Sequence, residues 1–320
     1  MRRLERYSVL FIALAAVLWA TDVYFRAGLL KHLSANEIVL MEDLIEAVVL
    51  LPILFINRGE LRRLTLKGWI AVAAVGIGPQ AIATVLFTQS LLYQDFAVTY
   101  VLQQTQPLIA VLLAGTILGE RRRGTFWPGL VVAVVGVYLV AFAPDPGAPF
   151  TGLPHARLVA ALLALGAAAL WALGTVLGRY LLNQISFPTM TSLRFTAAVP
   201  VLVILVVVTE GVHGFQHYRA SDASGFIGLA LITGVIALLI YYRFLAVTPA
   251  SLSIIAEMAY PVAATLIAAL PAPLGFSQPL YPGQIAGTAL LMLAILFANW
   301  GRMHGVVERP PASAAAAPTG

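Results

Sequence analysis

The chain has 320 residues, of which 60% are hydrophobic and 10% are charged. A water-soluble domain carries about 25% charged residues, because its surface must face water, so most of this surface must face something apolar. The formal net charge is +5 and there is no cysteine, which excludes disulfides, thiolate metal sites and cysteine nucleophiles.

Crossing the hydrocarbon core of a membrane takes about 20 mostly apolar residues in a helix. Ten runs meet that length, at 8–30, 37–56, 68–91, 97–118, 126–143, 157–178, 187–208, 225–247, 250–270 and 283–301. The first is too long for the apolar part of a signal peptide and ends in Asp22 and Arg26 without a small-residue cleavage site, so it reads as a retained helix. The spans absorb nearly all of the chain and leave no room for a soluble catalytic or DNA-binding domain. The expected fold is an all-α membrane protein with ten transmembrane helices.

The positive charges are placed unevenly. Arg2, Arg3 and Arg6 precede the first span; Arg58, Arg62, Arg63 and Lys67 follow the second; Arg121, Arg122 and Arg123 follow the fourth. With a cytoplasmic N terminus these clusters all fall inside, together with Arg179, Arg302 and Arg309, and only Lys31, Arg157 and Arg219 remain for the outer loops. That asymmetry is the bias that orients membrane helices. The basic character therefore reports topology in a bacterial-type inner membrane, and it gives nucleic-acid binding no support.

An internal repeat organises the spans. Trp19 in LAAVLWATDVYF lies over Trp171 in GAAALWALGTVL at an offset of 152, which also sets Glu42 against Arg194. QQTQPLIAVLLAG matches IAEMAYPVAATLI with Pro107 over Pro261 at an offset of 154, which also sets FWPGLVVAVVG over LYPGQIAGTAL. Five spans per copy is an odd number, so the two copies must sit in opposite orientations across the membrane, as in many secondary transporters. The expected division is a first repeat at 1–143, an outer linker at 144–156, a second repeat at 157–301 and a disordered cytoplasmic tail at 302–320.

Ionisable groups deep in a span cost several kcal/mol and normally face a cavity or a partner. Asp22, Arg26, Glu42, Asp43, Glu46, Arg194 and Glu257 are of this kind. Trp19, Asp22 and Arg26 share one face of the first span, where an Asp22–Arg26 ion pair and direct substrate contact are both open. Trp171, Gly174 and Gly178 take the matching places in the second repeat, a small-residue face suited to close helix packing. Three carboxylates in the second span cannot all face lipid, and at least one belongs to a cavity. Thr99, Gln103 and Gln106 form a polar stripe on the fourth span, and Ser253, Glu257 and Tyr260 form its counterpart on the ninth. After each stripe Pro107 or Pro261 frees a backbone carbonyl one turn earlier and bends the helix. Gln80 and Thr84 share a face of the third span. Tyr241 and Tyr242 read as interfacial anchors, and Arg243 sits near enough to the inner end of the eighth span to reach the headgroups. His213 and His217 have metal-compatible spacing but no third ligand.

These features resemble the EamA-type drug/metabolite transporter superfamily, over about residues 8–301. The resemblance rests on the ten spans, the tryptophans Trp19 and Trp171, Arg194, Pro107 and Pro261. It rests also on Leu118-Gly119-Glu120 before a basic turn, and on the Pro128-Gly129 that leads the fifth span. Glu42 stands where that superfamily commonly has arginine, and Phe276 follows Leu274-Gly275 where a glutamate is expected. The resemblance implies small-solute transport, mostly export in bacteria, through a central cavity between the repeats.

The expected function is thus secondary transport of a small polar or amphipathic metabolite such as an amino acid. The substrate-binding candidates are Trp19, Asp22, Glu42, Gln103, Gln106, Trp171, Arg194, Glu257 and Tyr260. Carboxylates together with Arg194 suit a zwitterion, with cationic drugs held over Trp19 or Trp171 as the alternative. Glu257 and Glu42 are the candidates for proton coupling, and Arg194 either binds the substrate's anionic part or pairs with Glu42 or Glu257. An intramembrane enzyme is disfavoured by the lack of HExxH, of a nucleophile motif and of a phosphate-binding glycine loop. No cofactor or metal is expected. The partners are a small-molecule substrate, protons and the bilayer, in a monomer or a homodimer. The cation bias makes a topology prediction: a phosphatase fused after Trp300 should be inactive and a fluorescent protein fused there should fluoresce, and the reverse pattern would remove the ten-span arrangement.

Overall fold

The computed structural model describes residues 5–93, 103, 105–119, 126–142, 147, 155–271 and 280–303. Thr99, the turn from Glu120 to Arg123, nearly all of the 144–156 linker, Leu274 to Phe276 and the tail beyond Met303 lie outside them. Within the described residues the chain is helical throughout. The elements are α1 (Ser8–Ala20), α2 (Asp22–Leu29), α3 (Ala35–Ile56), α4 (Leu66–Val75), α5 (Ala83–Ser90), α6 (Gln106–Ile117) and α7 (Phe126–Phe142). They continue as α8 (His155–Leu181), α9 (Phe187–Thr209), α10 (Ala223–Gly228), α11 (Ala237–Leu245), α12 (Ala250–Glu257), α13 (Ala259–Ala269) and α14 (Pro282–Met303).

Among the described residues five stretches are long and apolar enough to cross a membrane: Ser8–Leu29, Leu66–Ser90, Leu158–Leu181, Phe187–Thr209 and Ala220–Leu245. Shorter apolar helices run at Trp127–Leu139, Leu252–Ala264 and Pro282–Ala294. At 22 residues α3 also has the length, but it carries Glu37, Glu42, Asp43 and Glu46, all of them buried. Large apolar side chains such as Phe55, Ile56, Leu66 and Val208 lie on the outside at 70% exposure or more, as a surface in contact with lipid tails requires.

Local chemistry sets the helix ends and irregularities. Ser34 and Glu37 close a capping box at the start of α3, each satisfying a backbone N–H of the other. Between α4 and α5 the chain widens into a π-helix over Gly76–Ile82, which contains Pro79. Proline lacks the N–H that would bond back to Val75, and a wider turn accommodates the gap. A second π-helical segment, Leu229–Ile236, joins α10 to α11. There Thr233 Oγ1 donates to the Leu229 carbonyl at 2.6 Å, competing with the regular ladder. The helical stretch from Ala250 to Ala269 is broken at Met258 between α12 and α13, one residue after Glu257, whose carbonyl the N–H missing from Pro261 would have satisfied. Pro107 stands in the first turn of α6.

The packing crosses the chain's midpoint. α1 lies against α11, α12 and α13, while α8 lies against α5, α6 and the Gly76–Ile82 segment. α3 pairs with α9, and α7 pairs with α14. Close approach depends on small residues: a Cβ on Gly174 would come within 2.6 Å of Pro79 Cβ, and one on Gly178 within 2.7 Å of the Tyr242 ring. Gly174→Val should therefore force α8 off the π-helix and lower stability by about 1–3 kcal/mol. Gly28→Ala, where a Cβ meets nothing within 4 Å, should leave the thermal unfolding temperature in detergent unchanged or slightly raised.

Candidate functional site

A cavity opens between the two halves of the chain, with about 1060 Å³ of space free of protein atoms when counted out to its mouth. All nine residues singled out from the sequence line it: Trp19, Asp22, Glu42, Gln103, Gln106, Trp171, Arg194, Glu257 and Tyr260. The break at Thr21 separates α1 from α2 and re-aims Asp22 and Arg26. Both π-helical segments also contribute, through Gln80 from the first and Thr233 and Gly234 from the second. Such one-turn irregularities recur at functional sites.

Arg26 is the electrostatic centre of one wall. It is 1% exposed, and its guanidinium is almost fully engaged. Nε donates to Asp22 Oδ1 at 2.7 Å, one terminal nitrogen to Glu42 Oε2 at 2.9 Å, and the other to Thr88 Oγ1 at 3.0 Å. One cation thus serves two carboxylates, held in a planar fork that a lysine could not copy. The Asp22–Arg26 pair anticipated along one helix face exists, and Glu42 joins it from α3.

Arg194 is differently placed. Its Nε donates to Gln80 Oε1 and one terminal nitrogen donates to Tyr242 Oη at 2.8 Å, with the guanidinium 5.9 Å from the Tyr242 ring centroid. Gln80 passes the link on, donating to Asp43 Oδ1 at 2.7 Å. No carboxylate among the described residues lies within ion-pair distance of Arg194. The alternative in which Arg194 pairs with Glu42 or Glu257 is therefore corrected. Arg26 is the nearer cation for Glu42, and Glu257 is served by neutral donors, Tyr241 Oη at 2.8 Å and Gln106 Nε2 at 2.9 Å.

Tyr241 and Tyr242 require a second correction. They are 3% and 0% exposed, and Tyr241 lines the cavity, its hydroxyl bonded to Glu257 and within 2.9 Å of Thr175 Oγ1. Their buried partners, not the interface, hold them. Arg243, by contrast, stays part-exposed beside Glu5 at 3.7 Å. Trp19 meets Tyr241 with ring centroids 5.2 Å apart, and Trp171 meets Phe87 at 5.3 Å, so aromatic faces stand on both sides. Gln103 Oε1 and both oxygens of Glu46 receive no hydrogen bond among the described residues. The histidines of the 209–224 loop do not gather a metal site: His217 contacts Glu37, His213 is exposed, and no cluster of three metal-ligating groups occurs among the described residues. Sequence reasoning missed Phe87, Thr88, Thr175, Thr233 and Gly234, since threonine and glycine on an apolar span signal packing as readily as a site.

Comparison with known proteins bears on this geometry. The model of the EamA-like transporter family matches the chain twice, at residues 6–142 and 158–300. The riboflavin transporter ImpX of Fusobacterium nucleatum subsp. nucleatum is 29% identical over 298 residues, covering 90% of this chain and 96% of that protein. An uncharacterized transporter of Clostridium kluyveri is 27% identical over 217 residues, covering 62% and 64% of the two chains. A solved crystal structure superposes with a TM-score of 0.71 over 93% of this chain and 98% of the other, at 17% identity, a likeness of fold.

The two arginines should respond differently to truncation. Arg26→Leu leaves Asp22 and Glu42 without their shared cation and should lower stability by about 3–5 kcal/mol, with Glu42→Leu added to it restoring part of the loss. Arg194→Leu removes a partner only from neutral Gln80 and Tyr242 and should cost about 1–3 kcal/mol. Thermal unfolding of the four purified proteins in detergent reads both, and equal losses would contradict the assignment.

Proposed function

The chain belongs to the EamA-like transporter family, and from that premise we propose that it is a secondary transporter moving a small amphipathic metabolite by alternating access through the central cavity. It is a multi-pass membrane protein that carries a small molecule and is not an enzyme. In the proposed arrangement ten spans form two inverted five-helix repeats, with both termini in the cytoplasm of a bacterial-type inner membrane. Several observations support that reading. The family model matches twice, and the π-helical segments begin at Gly76 and Leu229, at equivalent points of the two matches. The packing of α1 and α8 against opposite halves is also reciprocal, as a two-fold arrangement requires.

The observation that carries the substrate reading is the cavity's mixed lining. Trp19 with Tyr241 on one side and Trp171 with Phe87 on the other offer flat apolar faces, and the amide and hydroxyl groups of Gln103, Gln106 and Tyr260 lie among them. A planar heterocycle with a polar tail fits such a site, stacking on the rings and donating to Gln103 Oε1. Riboflavin, which the Fusobacterium relative is named for transporting, is therefore the first substrate to try. A second reading, a zwitterionic amino acid, is favoured by Arg194, which has no carboxylate within ion-pair distance among the described residues.

Purified protein in proteoliposomes should take up riboflavin saturably and show counterflow in either direction. Trp171→Ala should remove a stacking face worth about 0.5–1.5 kcal/mol, raising the half-saturation concentration about twofold to tenfold. Saturable uptake of amino acids in place of riboflavin, weakened by Arg194→Leu and not rescued by Arg194→Lys, would select the second reading. Flux that rises linearly with concentration for every solute tried would replace transport by a channel.

A further inference from the structure

Asp43 and Glu46 lie three residues apart on α3, neighbours on one face of the helix, both with 0% exposure. Asp43 Oδ1 receives Gln80, but Asp43 Oδ2 and both oxygens of Glu46 receive no donor among the described residues. The other acids on the cavity wall are served: Asp22 and Glu42 by Arg26, and Glu257 by Tyr241 and Gln106. An ionised carboxylate only accepts, so a hydrogen bond between two carboxyl groups exists only when one of them carries a proton.

The surroundings supply no substitute. The charged groups that face Glu46 are Glu42 and Asp43 on its own helix and Arg194 on α9. Arg194 donates to Gln80 and Tyr242. The Leu229–Ile236 segment, α5 and α10 also pack against α3, and none of them contains a titratable residue. Glu46 is pressed so closely against Gly234 that a Cβ there would collide with its Oε1. On the Gly234 side this contact leaves no room for an ammonium group or a sodium ion, whereas a proton needs none.

We propose that Asp43 and Glu46 together form a proton-binding site, connected to the central cavity through Glu46 and distinct from the cavity's ion-paired and hydrogen-bonded acids. One proton is taken from water on one side of the membrane, held as an O–H between the two carboxyl groups, and returned to water on the other. No other bond forms or breaks. Its use in coupling rests on the transport reading above; the site itself does not.

The deciding measurement needs no substrate. Infrared difference spectra between high and low pH, recorded on the purified protein in lipid bilayers, should show a protonated-carboxyl C=O band. Glu46→Gln should abolish that band and Glu257→Gln should leave it. Asp43→Asn, whose amide can donate to Glu46, should abolish it too and provides a second variant should Glu46→Gln fail to fold. Gly234→Ala keeps every carboxyl group and should shift the band by crowding Glu46. A band unaltered in both carboxyl variants, or one displaced by sodium at constant pH, would overturn the proposal. In proteoliposomes, one proton per substrate lets the parent accumulate riboflavin up to about tenfold per unit of pH gradient, and in Glu46→Gln the ratio of uptake with and without the gradient should fall to one. A parent protein that moves no riboflavin speaks against that substrate alone, because the infrared spectra decide the site independently.

Discussion

A guanidinium with 1% of its surface exposed, in a chain whose outside is hydrocarbon-like, is tolerable only if its charge is answered at contact distance. Arg26 is answered twice, by Asp22 from one turn earlier on its own helix and by Glu42 from α3. That demand ties α2 to α3 and brings Thr88 of α5 in as a third partner. A second relay runs beside this one, from Asp43 through Gln80 to Arg194 and Tyr242. The two networks share α3 and do not share a hydrogen bond. A carboxylate-rich helix is thereby kept in the interior without being neutralised residue by residue.

The helix irregularities serve the same end. A straight helix presents a given face along its whole length, and a polar side chain on that face points at lipid once the helix leaves the cavity. Breaks at Thr21 and Met258 and the widened turns at Gly76–Ile82 and Leu229–Ile236 fall beside or within the stretches that give Asp22, Gln80, Thr233 and Glu257 to the cavity. Backbone groups loosened from their ladder are acceptable there because they border a cavity rather than the bilayer. The apolar stretches on either side of each break are left free to pack or to face lipid.

Much of this was legible in the amino-acid order because apolar context makes polar exceptions conspicuous. Trp19, Asp22, Glu42, Gln103, Gln106, Trp171, Arg194, Glu257 and Tyr260 stand out on their spans, and all meet in the cavity. What sequence could not supply was the pairing among them. Whether Glu42 belongs to Arg26 or to Arg194 depends on which helices are neighbours and on a guanidinium's reach, and neither is written along the chain. Tyr241 and Tyr242 looked like interfacial anchors because depth in the membrane was judged from distance along the span, while Tyr241 is held by α8 and α12 and Tyr242 by α8 and α9. The π-helical turns escaped for a different reason: one extra residue in a wider turn barely disturbs an apolar pattern. Proline at 79 was a visible cue for the first, and nothing comparable marks the second.

The reciprocal packing of α1 and α8 has a consequence for how the protein is made. α1 leaves the ribosome long before its lateral partners α11, α12 and α13 are synthesised. Until they arrive, the face of α1 that ends at Trp19 has only lipid or insertion machinery to lean on, and Asp22 and Arg26 have chiefly each other and α3. α8 emerges into the opposite situation, with α5 and α6 already in the membrane. Biogenesis is therefore asymmetric even where the finished architecture is balanced: the early half waits for its closure, and the late half assembles on contact.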